Sequence, residues 1–367
     1  MAPTDDNYWA DYDGLQKSKH QLLRTYLGGW FPKLAWSGRV LYIDCHAGRG
    51  RHATGDEGSP ILALRLLLEH KGRARILDSA EVQFLLFEKD AKNFTRLQSE
   101  IQKFGTLPKN IVVRCAQADY ADELRHVIDS LHSTGSQLAP AFAFVDPYGF
   151  TLSMDLLNSL LSFQRCELLI NFMYRYVDMA IGNPSQADNM DSLFGSKADW
   201  RRLASISDPT RRSEETIAMF SAQLRAKYVT HLQMRASNHA LKYVLIHATN
   251  NREGRKLMKQ ALWTVTPDGS FSASERDDPR QPVLIVGKPN LKPLKSALWQ
   301  EFGGRKASIE ALEDWLVDQL YLPKHLHQVI REYRNRDIIE ATGYEGGFAF
   351  NKSPSFLFPT KPPADEV

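Results

Sequence analysis

From Arg39 onward, short runs of aliphatic, β-branched and aromatic residues alternate with longer stretches in which apolar positions recur every three to four residues. Runs of five to seven such residues are too short for core helices and fit strands buried on both faces, while the longer period fits amphipathic helices. The pattern predicts strands over Arg39–Asp44, Val82–Glu88, Asn110–Cys115, Ala141–Asp146 and Glu167–Phe172. Between them it predicts helices over Pro60–Leu68, Ala91–Phe104, Tyr120–Leu131 and Leu152–Phe163. Strand and helix in strict alternation imply an α/β fold with a doubly wound, Rossmann-like parallel sheet, whose ligands lie beyond the carboxyl ends of the strands.

The flanks read differently. Tyr12 to Phe31 has helical spacing, with Lys17, His20 and Arg24 on a polar face and Leu22, Leu23, Tyr26 and Leu27 available for packing. Residues 178–235 are polar, basic and helix-prone, which predicts a helical insertion over 178–240. A sixth strand is expected at Lys242–Ala248, followed by a basic amphipathic helix from Glu253 to Leu262. After a Gly- and Pro-containing connector from Gly287 to Pro293, helices over Ser308–Leu320 and Pro323–Asn335 precede a Gly- and aromatic-rich stretch, Asp337–Phe358, that suits a β-hairpin. Helix, helix, hairpin is a winged-helix layout. The expected organisation is an N-terminal helical segment (1–38), an α/β domain (39–287) and a winged-helix-like domain (288–367).

With 43% apolar and 24% charged residues, the 367-residue chain can build large cores, which excludes a disordered or disulfide-stapled class. Cys45, Cys115 and Cys166 lie far apart in strand-like runs and read as reduced, buried thiols. No apolar run reaches the roughly 20 residues that span a bilayer, and the acidic start lacks the layout of a signal peptide, so a soluble, cytoplasmic protein without a membrane partner is expected. Charge is uneven. Residues 1–196 hold 20 basic and 23 acidic side chains, whereas residues 197–336 hold 24 and 15, a balance of +9. A clustered positive field attracts phosphates, although solvated helix faces give the same count. Arg201, Arg202, Lys256 and Lys259 are the candidate phosphate contacts.

The strand ends carry the candidate chemistry. The first strand runs into Asp44-Cys-His46-Ala-Gly48-Arg-Gly50, an acid followed by a glycine turn through which the backbone can approach a ligand. It lacks the third glycine of the pyrophosphate-binding pattern, and S-adenosylmethionine (SAM), with an amino group for an acid and no phosphates, suits it better. Glu88 follows the second strand, where an acid can accept both ribose hydroxyls, and Asp119 follows the third, near where an adenine edge would lie. Each carboxylate alone reads better as a helix N-cap, but three at consecutive strand ends favour SAM. The fourth strand ends in Asp146-Pro147-Tyr148-Gly149-Phe150. Amino-directed methyltransferases carry a polar residue, two prolines and an aromatic here. The polar residue and a backbone carbonyl accept the two hydrogens of an exocyclic amine and localise its lone pair. Asp146 and Pro147 can supply those acceptors, and Tyr148 or Phe150 can stack on the base. Pro-Tyr-Gly is also ordinary turn chemistry.

The segments Lys17–Arg24, Leu41–Gly50, Gly58-Ser-Pro60, Phe144–Gly149, Leu169–Tyr174, Ala248-Thr-Asn250 and Met258–Trp263 together resemble the three-Cys-motif partner (TcmP) family over nearly the whole chain. The resemblance implies a class I SAM-dependent methyltransferase fold and a radical-SAM-like partner protein that itself carries the three cysteines. The His-Ala-Gly turn, Gly-Ser-Pro and the Lys-His helix are also similar to the RlmJ-like ribosomal RNA adenine-N6 methyltransferases, and Asp-Pro-Tyr-Gly to a motif of tRNA guanine-N2 dimethyltransferases. By matched position the resemblance implies SAM contacts from Asp44, Gly48, Gly50, Glu88 and Asp119, with Asp146, Pro147 and Tyr148 facing the target as catalytic residues; His46 is expected to join the cofactor contacts, and Lys17, His20 and Phe150 the substrate contacts. Arg49 stands where many of these sequences have proline.

Three functions compete at this point: a SAM-dependent N-methyltransferase acting on nucleic acid, RNA before DNA; a non-catalytic SAM-binding scaffold for the three-Cys partner; and a methyltransferase of a small nucleoside-like metabolite. No nucleophile elbow and no HxxxH or CxxC spacing supports a hydrolase or a metal site.

Overall fold

The computed structural model describes residues 9–10, 12–195, 198–276 and 288–362. The acidic N-terminal stretch through Tyr8 and the expected domain boundary at Gly287 lie outside them. The chain divides into two compact units, residues 1–266 with 271–283, and residues 267–270 with 284–367.

Among the described residues, the larger unit is built on eight strands: β1 (Gly38–Asp44), β2 (Ala80–Phe87), β3 (Ile111–Ala116), β4 (Ala141–Val145), β5 (Cys166–Phe172), β6 (Tyr228–Arg235), β7 (Leu241–Thr249) and β8 (Ser272–Ser274). They lie in the order β3-β2-β1-β4-β5-β7-β6-β8. The first five are parallel, and β7 enters antiparallel between β5 and β6. This is the doubly wound Rossmann-like sheet that the alternation predicts. Every residue of β4 and β5 is buried, as a sheet covered on both faces requires.

Alternate residues of the central strands feed two cores. Leu41, Ile43, Ala143, Ile170 and Ile246 face α5 (Tyr120–Ser133), α6 (Met154–Leu161), α7 (Tyr174–Ala180), α8 (Ala187–Phe194) and α9 (Pro209–Gln223). Val40, Tyr42, Phe142, Phe144 and Leu245 face α1 (Gly14–Leu34), α2 (Ser59–Glu69), α3 (Arg73–Ser79), α4 (Ala91–Gln102) and α10 (Arg252–Val265).

Two expectations need correction. Residues 1–38 are not a separate segment, because α1 buries Leu22, Leu23, Tyr26, Leu27, Trp30 and Phe31 in the second core. It is anchored by a buried carboxylate: Glu167 on β5 accepts from Tyr26 Oη at 2.5 Å and Trp30 Nε1 at 3.1 Å, with His247 Nε2 at 3.3 Å. Nor does the helical insertion reach residue 240. Helix ends with α9 at Gln223, and Tyr228–Arg235 is β6, with strictly alternating burial. The strand expected as sixth is therefore the seventh.

The smaller unit comprises α11 (Lys292–Phe302), β9 (Lys306–Ser308), α12 (Ile309–Leu316), α13 (Pro323–Asn335), β10 (Glu340–Thr342) and β11 (Ser355–Leu357). Its strands pair antiparallel in the order β10-β11-β9. Leu294, Leu298, Leu312, Leu326, Ile330, Tyr333 and Phe356 fill a core of its own. Among the described residues, no helix is long and apolar enough to cross a membrane.

Candidate active site

The loop after β1 is drawn over the sheet edge by backbone bonds from Cys45 N to Phe144 O (2.9 Å) and from Ala47 N to Phe87 O (2.8 Å). Gly48 and Gly50 turn it with φ of 63° and 78°, a region costly for residues with a Cβ. At Gly48 a Cβ would also collide with the Trp9 ring. The Asp44 carboxylate accepts from Tyr42 Oη at 3.0 Å and His46 N at 3.2 Å and is fully enclosed. Burial pushes its pKa up to about 6, against the hydrogen bonds from Ser59, Tyr42 and His46. Asp44 does not line either cavity, and its carboxylate holds the loop through His46 N. Gly50 likewise shapes the turn, its carbonyl accepting from Gly58 N at 2.8 Å.

Beyond the strand ends lie two contiguous cavities of about 360 and 410 Å³, both lined by His46, Glu88, Pro147 and Tyr148. Glu88 is buried where they meet, accepting from Gly48 N at 2.9 Å and Asp90 N at 2.7 Å. Burial raises its pKa, and those two amides hold the rise in check. Asn93 at the start of α4 takes Arg49 Nε on its carbonyl oxygen at 2.7 Å. Its Nδ2 is buried with no hydrogen-bond partner among the described residues, as is His46 Nδ1. His46 packs on Tyr120 with ring centroids 4.7 Å apart, and burial lowers its pKa to about 4, so the imidazole is neutral at physiological pH. Asp119 lines the second cavity beside Ala118 and Tyr120. It caps α5 through Ala121 N (3.0 Å) and pairs with Lys89 (3.1 Å). Burial pulls its pKa upward, but these two contacts outweigh it and leave the net shift downward.

The first cavity also receives Asp146, Pro147 and Tyr148 from the end of β4. Asp146 does not stand alone. Lys19 Nζ from α1 lies 2.6 Å from its Oδ2, and Asn171 Nδ2 from β5 lies 2.5 Å from its Oδ1. The Lys19 side chain is 3% exposed and that of Asp146 15%, so the pair is shielded from water and its attraction is strong. Each carboxylate oxygen carries two lone pairs, so acceptor capacity remains after both contacts. Tyr148 is 44% exposed, and its ring lies 5.7 Å from that of Tyr176. A hydrogen bond between the two hydroxyls, then burial, pushes the Tyr176 pKa up to about 12.

The remaining expected residues scatter. His20 lines the first cavity and receives or gives a hydrogen bond at Tyr12 Oη (2.7 Å). Burial, then the charge of Lys19, lowers its pKa well below the usual histidine range. Lys17 borders a neighbouring hollow with Arg24 and Arg51. Phe150 is packed against the first core instead of facing either cavity. Arg201 is engaged by Asp191, Arg202 by Glu215 and Lys256 by Glu253, and none of the three lines either cavity. Lys259 is buried on the inner face of α10 and cannot reach a phosphate from there, which corrects that expectation. Sequence reading missed Lys19 and Asn171. Lys19 sits between two residues that it did select, and Asn171 closes the strand motif, but neither has a local signal for meeting Asp146.

No family model matches the chain, and no curated protein matches it. Among solved structures, the chain is similar to Trm1 from Pyrococcus horikoshii in complex with S-adenosyl-L-methionine, at 13% identity over 98% of this chain and 95% of that one, with a TM-score of 0.36. It is similar to the methyltransferase domain of a bacterial Hen1 at 12% identity over 62% and 99%, TM-score 0.31. A geranyl diphosphate methyltransferase bound to GPP and sinefungin matches at 12% identity over 61% and 78%, TM-score 0.26.

Proposed function

We propose that the chain is a SAM-dependent methyltransferase acting on an exocyclic amine of a nucleic-acid base, in RNA before DNA. The observation that carries this reading is the buried Lys19–Asp146–Asn171 cluster in the same cavity as the glycine loop and Glu88. The residues present fit the cofactor. Glu88 offers a buried carboxylate where a ribose would lie, Asn93 Nδ2 and His46 Nδ1 are buried polar atoms in want of a partner, and Asp119 and Tyr120 line the cavity suited to a base. When bound, SAM supplies an electrophilic methyl group. Asp146, oriented by Lys19 and Asn171, accepts a hydrogen from the substrate amine and localises its lone pair. The Pro147 carbonyl is suited to accept the second hydrogen, and Tyr148 with Tyr176 presents ring faces on which a base can stack.

The family resemblance extends this reading to a three-Cys-motif, radical-SAM-like protein partner. In the smaller unit, the order helix, strand, helix, helix, strand, strand supports a winged helix there as a second nucleic-acid or partner contact. The test is isothermal titration with SAM, then tritiated-methyl transfer to total RNA, genomic DNA and free nucleosides by wild type and Asp146→Ala. Label in RNA that falls by about 10²–10³ in Asp146→Ala supports the reading. Absence of heat from SAM on folded protein removes it, and label confined to nucleosides replaces the macromolecular substrate with a metabolite.

A further inference from the structure

The active-site cavity does not close at Tyr148 and Tyr176. Arg175 and Lys242 line both it and an adjoining groove of about 470 Å³, set among α7, the first turn of α9 and the hairpin of β6 and β7. The charges on the groove wall do not balance. Asp178, its one carboxylate among the described residues, is taken by Arg212 at 2.7 Å. Lys242 is taken by Glu275 at 2.6 Å. Two guanidinium groups have no carboxylate partner among the described residues. Arg175 is exposed and makes no side-chain hydrogen bond or ion pair among the described residues. Among the described residues, the Arg235 side chain donates to two neutral oxygens, the His239 carbonyl at 2.8 Å and Gln233 Oε1 at 2.6 Å. The exposed Thr210 and the His239 ring add polar groups on either side.

We propose that this groove holds the phosphodiester backbone of the single strand flanking the base that enters the active site, with Arg175 at the corner between them. The inference rests on the nucleic-acid reading above and specifies where that substrate runs. Guanidinium forks match phosphate oxygens in geometry, and both here retain donors for the purpose. A continuous path from the paired tyrosines past Arg175 lets one nucleotide turn inward while its neighbours stay on the surface. Arg201 and Arg202, expected as phosphate contacts, are each paired with a surface carboxylate and do not line this groove.

The test uses the full chain and a fluorescein-labelled 20-nucleotide single-stranded RNA of mixed sequence, with affinity read by anisotropy between 50 and 200 mM salt. Arg175→Ala and Arg235→Ala should each weaken binding at least about fivefold at low salt and flatten the logarithmic salt slope by about 0.7 per lost contact on a single strand. Arg175→Lys should recover part of the loss, and a wild-type circular dichroism spectrum and thermal transition show that the variants are folded. Wild-type affinity and slope in both alanine variants overturn the groove, as does a wild-type chain that fails to bind the RNA. If the variants lose RNA binding but no chain takes up SAM, the groove stands and the methyltransferase reading falls.

Discussion

Asp44 offers a test of the glycine loop that needs no substrate. Its carboxyl is enclosed, and burial raises its pKa from 3.8 to about 6. A group whose folded pKa is raised favours the folded state below its unfolded value and loses that contribution as pH rises through the folded value. The full swing is about 3 kcal/mol, from roughly 2.2 units at 1.36 kcal/mol each. Acid-labile contacts elsewhere would obscure it at pH 3, so the useful window is pH 5 to 8. There the folded group passes from mostly protonated to ionised while the unfolded one stays ionised, and the change is about 1.4 kcal/mol, close to tenfold in the unfolding constant. Asp44→Asn removes the titration but also rearranges the hydrogen bonds from Tyr42 and His46, an offset independent of pH. The quantity to measure is therefore the difference between wild-type and variant stability by urea unfolding at pH 5 and pH 8, followed by tryptophan fluorescence. Wild type should gain about 1.4 kcal/mol on the variant as the pH falls from 8 to 5. A difference constant to within about 0.3 kcal/mol, or one of opposite sign, would refute the claim that Asp44 is held as a costly buried charge.

Asp146→Ala removes the acceptor; turnover in the tritiated-methyl assay should fall by about 10²–10³ while calorimetric affinity for SAM stays within about threefold. Lys19→Met should lower kcat at least about tenfold, with Lys19→Arg recovering part of it, because breaking a shielded ion pair leaves the carboxylate without its cation. Equal activity in both variants would make Lys19 structural only. Glu88→Gln should weaken SAM by roughly ten- to a hundredfold, the worth of a hydrogen bond to a charged group, and titration calorimetry reads it directly. Gly48→Ala adds a Cβ against Trp9 at a positive φ, so thermal unfolding should show a loss of at least about 1–2 kcal/mol together with a shift in tryptophan emission.

The parallel half of the sheet was legible because its strands are buried on both faces and written in almost unbroken apolar letters, as in Ala141–Val145. β6 was not. Tyr-Val-Thr-His-Leu-Gln-Met-Arg alternates as an edge-side strand should, with Tyr228, Thr230, Leu232 and Met234 inward, but it follows a long basic helical stretch and ends in arginine, so the longer period absorbed it. In the site, residues that belong to a strand end could be found by their position in the motif. Lys19 could not, since what distinguishes it from Lys17 is the rotation of α1, set by Tyr26 and Trp30 against Glu167. The same physics misplaced Lys259, which helical periodicity alone left free to face either water or the core.

The anchoring of α1 also sets an order of assembly. Lys19 and Asp146 are separated by 127 residues, and Tyr26 and Glu167 by 141. During synthesis the helix waits, its apolar face uncovered, while four further strands are made, because the carboxylate that receives it lies on the fifth. Contacts so distant in sequence close late and slow the search for the native state. The Lys19–Asp146–Asn171 cluster thus forms only once the centre of the sheet has formed, and a chain stalled short of β5 would carry its glycine loop without that cluster complete.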